Sequence, residues 1–359
     1  MKNLYTLIMA GGSGTRFWPR SKVRKPKQYL NIFGEDSLLQ DTIQRFATFA
    51  EFENIYVVSS ATQAEVLEAQ APMLPKANLI YEPVGKNTLP CIGLAAMYAE
   101  LEDPDGIMVV SPSDHLITNT ELFKNTVLSA AKIAEGRNGI VTIGITPTYP
   151  ATGYGYVKTA EDITGSETIR QFKVERFVEK PNEETATRYL EQGGFYWNSG
   201  LFIFKISVFL DAVKRYAPEL YGDLRKIQAD LGNPSYPQTL DAIYRAVKGI
   251  SVDYGIMEHA DNIYLVEGNF DWNDLGSWES VYQTDKKDEN GNASSGEVLL
   301  LDTKNSYVHA DNSLVAVVGL EDVIVVQDGD TVLVCKRDKA EDVKNVVEKL
   351  RSENKTQYF

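Results

Sequence analysis

From Ala10 to Lys27 the sequence reads AGGSGTRFWPRSKVRKPK. Gly11, Gly12 and Gly14 are followed by Arg16, Arg20, Lys22, Arg24, Lys25 and Lys27, with no acid among them. A glycine-rich loop can turn its backbone N–H groups toward an anion, and glycine lets a flat base or a phosphate approach the main chain closely. Arg16 and Lys27 would then neutralise a polyphosphate. Lys25 is a lesser candidate, and the remaining cations fit a solvated segment. The pattern is neither of the two common phosphate loops. A Walker loop starting at Gly11 or Gly12 would need a second glycine where Arg16 or Phe17 stands, and a dinucleotide fingerprint through Gly12 and Gly14 fails at Phe17. The alternative is a strained turn with surface cations. The position directly after the first apolar run favours a ligand.

Two aspartates could complement such a loop. Asp114 lies in VVSPSDH at the end of an apolar run, and Asp274 lies in DWNDLGSW. Ligands of open α/β sheets bind at the C-terminal ends of the strands, where a carboxylate can hold a hard divalent cation. Either residue could instead be a cap: Asp114 of a turn, Asp274 of a helix starting near Ser277. Glu179 and Lys180 in FVEKP read equally as an exposed strand end or as polar site residues. The sequence offers no credible Ser/His/Asp or Cys/His arrangement. Cys91 and Cys335 stand apart with no metal-ligand spacing around them, which suits reduced, buried thiols. Trp18, Trp197, Trp272 and Trp278 read as core or pocket walls, and His115, His259 and His309 as structural.

The elements that must position these residues follow from hydrophobic spacing. Short apolar runs at 4–10, 55–59, 78–81, 107–111 and 140–145 read as strands. Helical patterns lie between them at 37–49 (Ser37 as N-cap), 61–71, 88–101 and 120–135. This alternation predicts a mostly parallel α/β sheet with helices on both faces. Later runs add strands around GYGYVKT and IRQFKVERFVEKP at a sheet edge, FYWNSGLFIFK and NIYLVEG, with helices at 208–216, 220–230 and 240–247. The polar stretch DKKDENGNASSGE predicts a domain boundary, giving a catalytic domain over 1–284 and a small all-β unit over 285–359 that closes with a helix at 338–351.

Composition sets the outer limits. The 359-residue chain carries 36 basic and 50 acidic residues, net −14. That argues against nucleic acid or an anionic membrane as partner. No apolar run approaches the ~20 residues of a membrane span. The N-terminal apolar run is too short for a signal peptide, so a cytoplasmic protein is expected.

The segments LIMAGGSGTRFWP, KPKQYL, EPVGKNTLP, SPSDH, TGYGYV, FVEKP, WNSGLFIF, SVDYGIME and DWNDLGSW occur in the order seen in sugar-nucleotidyltransferases. Across nearly the whole chain the sequence resembles their mannose-1-phosphate guanylyltransferase branch. The resemblance implies a Rossmann-like, mostly parallel nucleotidyltransferase domain followed by a small left-handed β-helix-like domain. It implies transfer of GMP from GTP to mannose 1-phosphate, Mg²⁺ held by Asp114 and Asp274, and a homodimer. Arg16, Lys27, Asp114 and Asp274 would be catalytic. Ala10, Gly11, Gly12, Gly14, Thr15, Arg16, Lys27, Glu82, Gly85, Asn87 and Thr88 would bind the nucleotide. Gly155, Glu179, Lys180, Asn198, Gly200 and Asp253 would bind the sugar phosphate. Asn273 departs from the Asp-Asp pair of many relatives, and the isomerase activity of longer relatives is not expected here. The same chemistry on another sugar 1-phosphate or NTP, or a regulatory subunit without turnover, are the alternatives. The presence of Arg16, Lys27 and both aspartates favours the enzyme.

Overall fold

The structure is a computed structural model that describes residues 4–359. The chain forms two units. One holds the stretch ending at Gly11 with Thr42–Ser113 and Ile117–Trp272; the other holds Gly12–Asp41, Asp114–Leu116 and Asn273–Phe359. No helix among the described residues is long and apolar enough to cross a membrane.

The first unit is built on a nine-stranded sheet. Its strands are β1 (Leu4–Ala10), β2 (Ile55–Ser60), β3 (Leu79–Glu82), β4 (Ile107–Pro112), β6 (Ile140–Ile145), β7 (Tyr156–Asp162), β8 (Gln171–Val178), β9 (Phe195–Lys205) and β10 (Ile263–Gly268); the two-residue strands β5 (Leu116–Ile117) and β11 (Trp272–Asn273) lie outside it. The order is β3-β2-β1-β4-β9-β6-β10-β8-β7. β1 to β4 pair in parallel, as their continuous apolar runs predict. The sheet departs from the expected rhythm at β9. This strand does not extend an edge but runs antiparallel between β4 and β6. It is apolar on both faces, with Phe202, Ile203 and Phe204 all buried, and that composition suits a central strand. β8 and β7, expected at a sheet edge, come last in the order, but β7 also pairs antiparallel with β9 (Tyr156 opposite Trp197), so neither has an open edge along its whole length.

Alternate strand residues feed two faces. Tyr5, Leu7, Tyr56, Val58, Met108 and Val110 join one core with helices α3 (Thr88–Glu102), α6 (Ile206–Tyr216), α7 (Pro218–Ala229) and α8 (Tyr236–Ala246). α3 is buried nearly all round, as a helix between a sheet and other helices must be. Ile8, Val57 and Val109 are equally buried on the opposite face. There Phe123 of α4 (Thr120–Arg137) meets Phe46 of α1 (Leu38–Ala47) edge-on. The Ser37 cap forms as expected and is reciprocal: Gln40 N donates to Ser37 Oγ (3.2 Å) and Ser37 N donates to Gln40 Oε1 (3.0 Å). Two further helices are α2 (Ala64–Gln70) and α5 (Glu183–Gln192). DYGIM (Asp253–Met257) forms a π-helical turn that hydrophobic spacing did not reveal.

In the second unit β12 (Ala293–Ser295), β14 (Tyr307–Ala310) and β16 (Val323–Asp328) stack in parallel, and β13 (Val298–Leu301) pairs in parallel with β15 (Val315–Val318). These are two walls of one coil around Val308, Val317 and Val325. The polar stretch read as a domain boundary contributes β12, whose Ala293 is buried. β17 (Thr331–Lys336) ends the coil by returning antiparallel on β16 through a turn at Gly329 (φ +58°). A 3₁₀ segment (Arg337–Asp342) and α10 (Val343–Ser352) follow. Val343 and Val347 share a core with Phe17, Trp18, Leu30, Leu275, Tyr307 and with Trp278 of α9 (Trp278–Thr284).

Candidate active site

The glycine loop leaves β1 and becomes a 3₁₀ turn at Thr15–Phe17. Gly14 has no substitute there. Its φ is +56°, and a Cβ would lie 2.4 Å from the Lys27 Cβ and 2.8 Å from the Lys27 backbone N. Gly14 thus lets Lys27 lie directly against the loop. Gln28 Nε2 fastens the same two segments by donating to the Gly12 carbonyl (3.2 Å). Pro26 leads into a second 3₁₀ turn, Lys27–Tyr29, and buries the lysine.

The Lys27 ammonium donates to Asp114 Oδ2 (2.9 Å) and to the Asp274 carbonyl (2.7 Å). Three segments far apart in sequence therefore meet at one cation. Burial would raise the Asp114 carboxyl, but the charges of Lys27 and His115 and the Lys27 hydrogen bond outweigh it and hold the group below its ordinary value. Gly14, Arg16, Lys27, Asp114, His115 and Asp274 line a cavity of about 260 Å³. Arg16 Nε lies 2.6 Å from Glu341 Oε2. The N-cap of α9 is Ser277, so Asp274 is not the cap of that helix.

Within the first unit, Ala10 accepts a hydrogen bond from Ser59 Oγ (3.0 Å) at the end of β1. A Cβ on Gly11 would lie 3.7 Å from Glu82 Oε2, so the loop's first glycine faces that carboxylate. Glu82 is 4% exposed and accepts a hydrogen bond from Tyr244 Oη. Burial pushes its carboxyl up to about 7 despite that bond. Asn87 caps α3, with Oδ1 accepting from Thr88 N (2.8 Å) at φ +72°. Thr88 Oγ1 accepts from Val252 N (2.8 Å), and Gly85 is open on its Cβ side.

A second polar cluster gathers at β9. Asn198 Nδ2 donates to Asp253 Oδ1 (3.0 Å), while Asn198 Oδ1 accepts from Thr142 Oγ1 (2.8 Å) and Gly200 N (3.3 Å). Lys180, at φ +46°, pairs with Glu179 Oε1 (2.8 Å). Glu179 Oε2 lies only 2.6 Å from where a Cβ of Gly155 would stand. The space that glycine frees is thus taken by a carboxylate. Burial and the Glu179 charge push the Asp253 carboxyl up to about 6.

Residues 5–291 match the nucleotidyl transferase family, and residues 296–350 match a mannose phosphate isomerase/GMP-like β-helix domain. A mannose-1-phosphate guanylyltransferase of Escherichia coli K12 is 37% identical over 360 residues, covering 99% of this chain and 75% of the relative. One from Salmonella montevideo is 38% identical, covering 98% and 75%. The chain belongs to the mannose-1-phosphate guanylyltransferase family. A crystal structure of a mannose-1-phosphate geranyltransferase from Thermus thermophilus superposes with a TM-score of 0.88 at 30% identity, over 97% of this chain and 99% of that one.

In this family member the structure gathers Arg16, Lys27, Asp114 and Asp274 on one cavity, and Glu179, Lys180, Asn198 and Asp253 in one cluster. Asn87 and Thr88 spend side-chain oxygens on the fold. Sequence reasoning missed Glu341, Tyr244 and Thr142. Each acts by one contact to a distant residue, and no spacing pattern announces that. The donor set fits a divalent cation of the Mg²⁺ type. Two carboxylate residues stand at one cavity, and such a cation takes one or two carboxylates and fills its remaining positions with phosphate oxygens and water. No group of three His, Cys, Asp or Glu gathers among the described residues.

Proposed function

We propose that the chain transfers GMP from GTP to α-D-mannose 1-phosphate, giving GDP-mannose and pyrophosphate. The observation that carries this reading is the buried ammonium of Lys27. It bonds both aspartate residues beside a glycine loop too tight for a side chain, in a chain 37% identical to a guanylyltransferase. The sugar-phosphate oxygen attacks the α-phosphorus of GTP in line, and the bond from that phosphorus to the bridging oxygen of pyrophosphate breaks. Both reactants are anions, so charge screening and alignment supply the catalysis. Lys27 and Arg16 neutralise charge that builds on the phosphates. The nucleophile is already ionised near neutral pH, so His115 is not needed as a base.

Asp114 and Asp274 would hold Mg²⁺, which when bound supplies further charge neutralisation on the phosphates. Ala10, Gly11, Gly12, Gly14 and Thr15 offer main chain to the nucleotide, with Gly85, Asn87 and Thr88 beside the base. Glu82, ionised above about pH 7, accepts the N1–H and amino donors of guanine, which adenine does not present there. Glu179, Asn198 and Asp253 take sugar hydroxyls, with Gly155 making room for the Glu179 carboxylate and Gly200 keeping the backbone accessible, and Lys180 pairs with the sugar's phosphate.

The division of labour at residue 285 is part of this proposal, as are a cytoplasmic setting and a homodimer. The dimer rests on the exposed apolar residues Leu299, Leu301, Leu314, Val318 and Leu320 of the β-coil. Pyrophosphate release across a matrix of NTPs and sugar 1-phosphates tests the reading, with GTP and mannose 1-phosphate expected to stand out. Asp114→Ala and Asp274→Ala should abolish turnover while circular dichroism stays native. Near-normal rates in either variant would sink the metal assignment.

A further inference from the structure

We infer that Glu341 is a positioning residue for the glycine loop, holding the Arg16 guanidinium in place to receive phosphate. The inference rests on the transferase reading for the identity of that phosphate. Glu341 Oε2 lies 2.6 Å from Arg16 Nε, yet Nε makes no hydrogen bond. The contact is one of charge. Nε is buried against that carboxylate while the side chain as a whole is 43% exposed, so the exposure falls on the rest of the side chain, whose terminal N–H groups can turn to phosphate oxygens. Both side chains are largely exposed, and such pairs add little to stability. Orientation is what the pair can supply. A free arginine samples many rotamers, and each phosphate contact must overcome that loss of freedom.

The carboxylate can orient Arg16 because its own segment is fixed. Arg337, four residues earlier, grips Glu279 of α9 with two hydrogen bonds (2.6 and 2.9 Å) and lies 3.7 Å over the Tyr282 ring. α9 begins four residues after Asp274. On the other side, Val343 and Val347 of α10 are buried with Phe17 and Trp18, and Trp18 Nε1 donates to the Tyr358 carbonyl (2.8 Å). The segment carrying Glu341 is therefore braced against both strands of the site, the loop with Arg16 and the approach to Asp274.

The test is a double-mutant cycle on the full chain. Steady-state pyrophosphate release with GTP and mannose 1-phosphate is measured for the wild type, Glu341→Ala, Arg16→Ala and the pair, and calorimetric binding of inorganic tripolyphosphate is measured for the same four. Glu341→Ala should lower kcat/KM for GTP and weaken tripolyphosphate by about tenfold, with an unchanged melting temperature. In the Arg16→Ala background the same change should cost less than about twofold. Asp342→Asn, one residue away, should behave as wild type. Unchanged or faster turnover in Glu341→Ala, or an equal loss in both backgrounds, would overturn the inference. A wild type that binds tripolyphosphate without turnover would overturn the transferase reading instead, and the binding cycle would still decide the role of Glu341.

Discussion

Glu82→Gln should stabilise the protein at alkaline pH and not at acid pH. The carboxyl is 4% exposed, and burial raises it from an ordinary 4.5 to about 7. Between those values the native state holds a proton that the unfolded chain has released, so native stability falls as pH rises through the window. The native penalty is absent below pH 4.5 and complete above about pH 7. A rise of that size corresponds to about 3 kcal/mol. Glutamine does not titrate, and its Oε1 can still accept the Tyr244 hydroxyl. The stability of Glu82→Gln minus that of wild type should therefore grow from near zero at pH 4 to about 3 kcal/mol at pH 8, or ~5 °C in melting temperature. Taking the difference cancels every other titrating group. Calorimetric scans of both proteins at half-unit pH steps read it directly. A difference that does not vary with pH, or one largest at acid pH, would refute the account of Glu82 as a destabilised buried acid. In the same variant an amide would face the guanine donors with a donor of its own, so KM for GTP should rise about tenfold or more.

Three further outcomes are expected. Asp253→Asn should show the same sign in a lower window, since burial and Glu179 raise Asp253 from 3.8 to about 6; its melting temperature should gain at pH 7.5, gain nothing at pH 4, and its KM for mannose 1-phosphate should rise. Lys27→Gln should lower kcat by about 10² to 10³ and destabilise by ~2 kcal/mol at pH 7, because the Asp114 carboxylate loses its cation. Urea titrations should show that stability loss shrinking as pH falls and Asp114 becomes protonated. Leu301→Asp with Val318→Asp, both on the exposed face of the β13–β15 wall, should convert a dimeric mass to a monomeric one in analytical ultracentrifugation while turnover chemistry persists.

The parts legible in the sequence are those set by local pattern. β1 and the loop after it were legible as a short apolar run cut off by glycine, and the Ser37 cap as a serine before a helical period. The coil strands after β12 showed as short apolar runs between turn residues. The parts that were not legible depend on partners remote in sequence. Gly14 is required because Lys27, thirteen residues on, occupies its side-chain space. β9 is central because β4 and β6 lie on either side of it, and its own residues specify only that both of its faces are buried. Glu341 falls among the polar positions of the pattern read as a closing helix, and nothing there sets it apart from ordinary solvated surface until Arg16 is seen beside it.

The antiparallel β9 also has a consequence for synthesis. β4 is complete at Pro112 and β6 at Ile145, but the strand that joins them ends only at Lys205. At ~5–20 residues per second the ribosome leaves both strands without their shared neighbour for about 3–12 s. During that interval the nascent chain presents two open, apolar strand edges that can pair with other chains. The chain's demand on chaperones should therefore peak just before residues 195–205 emerge and drop once they insert.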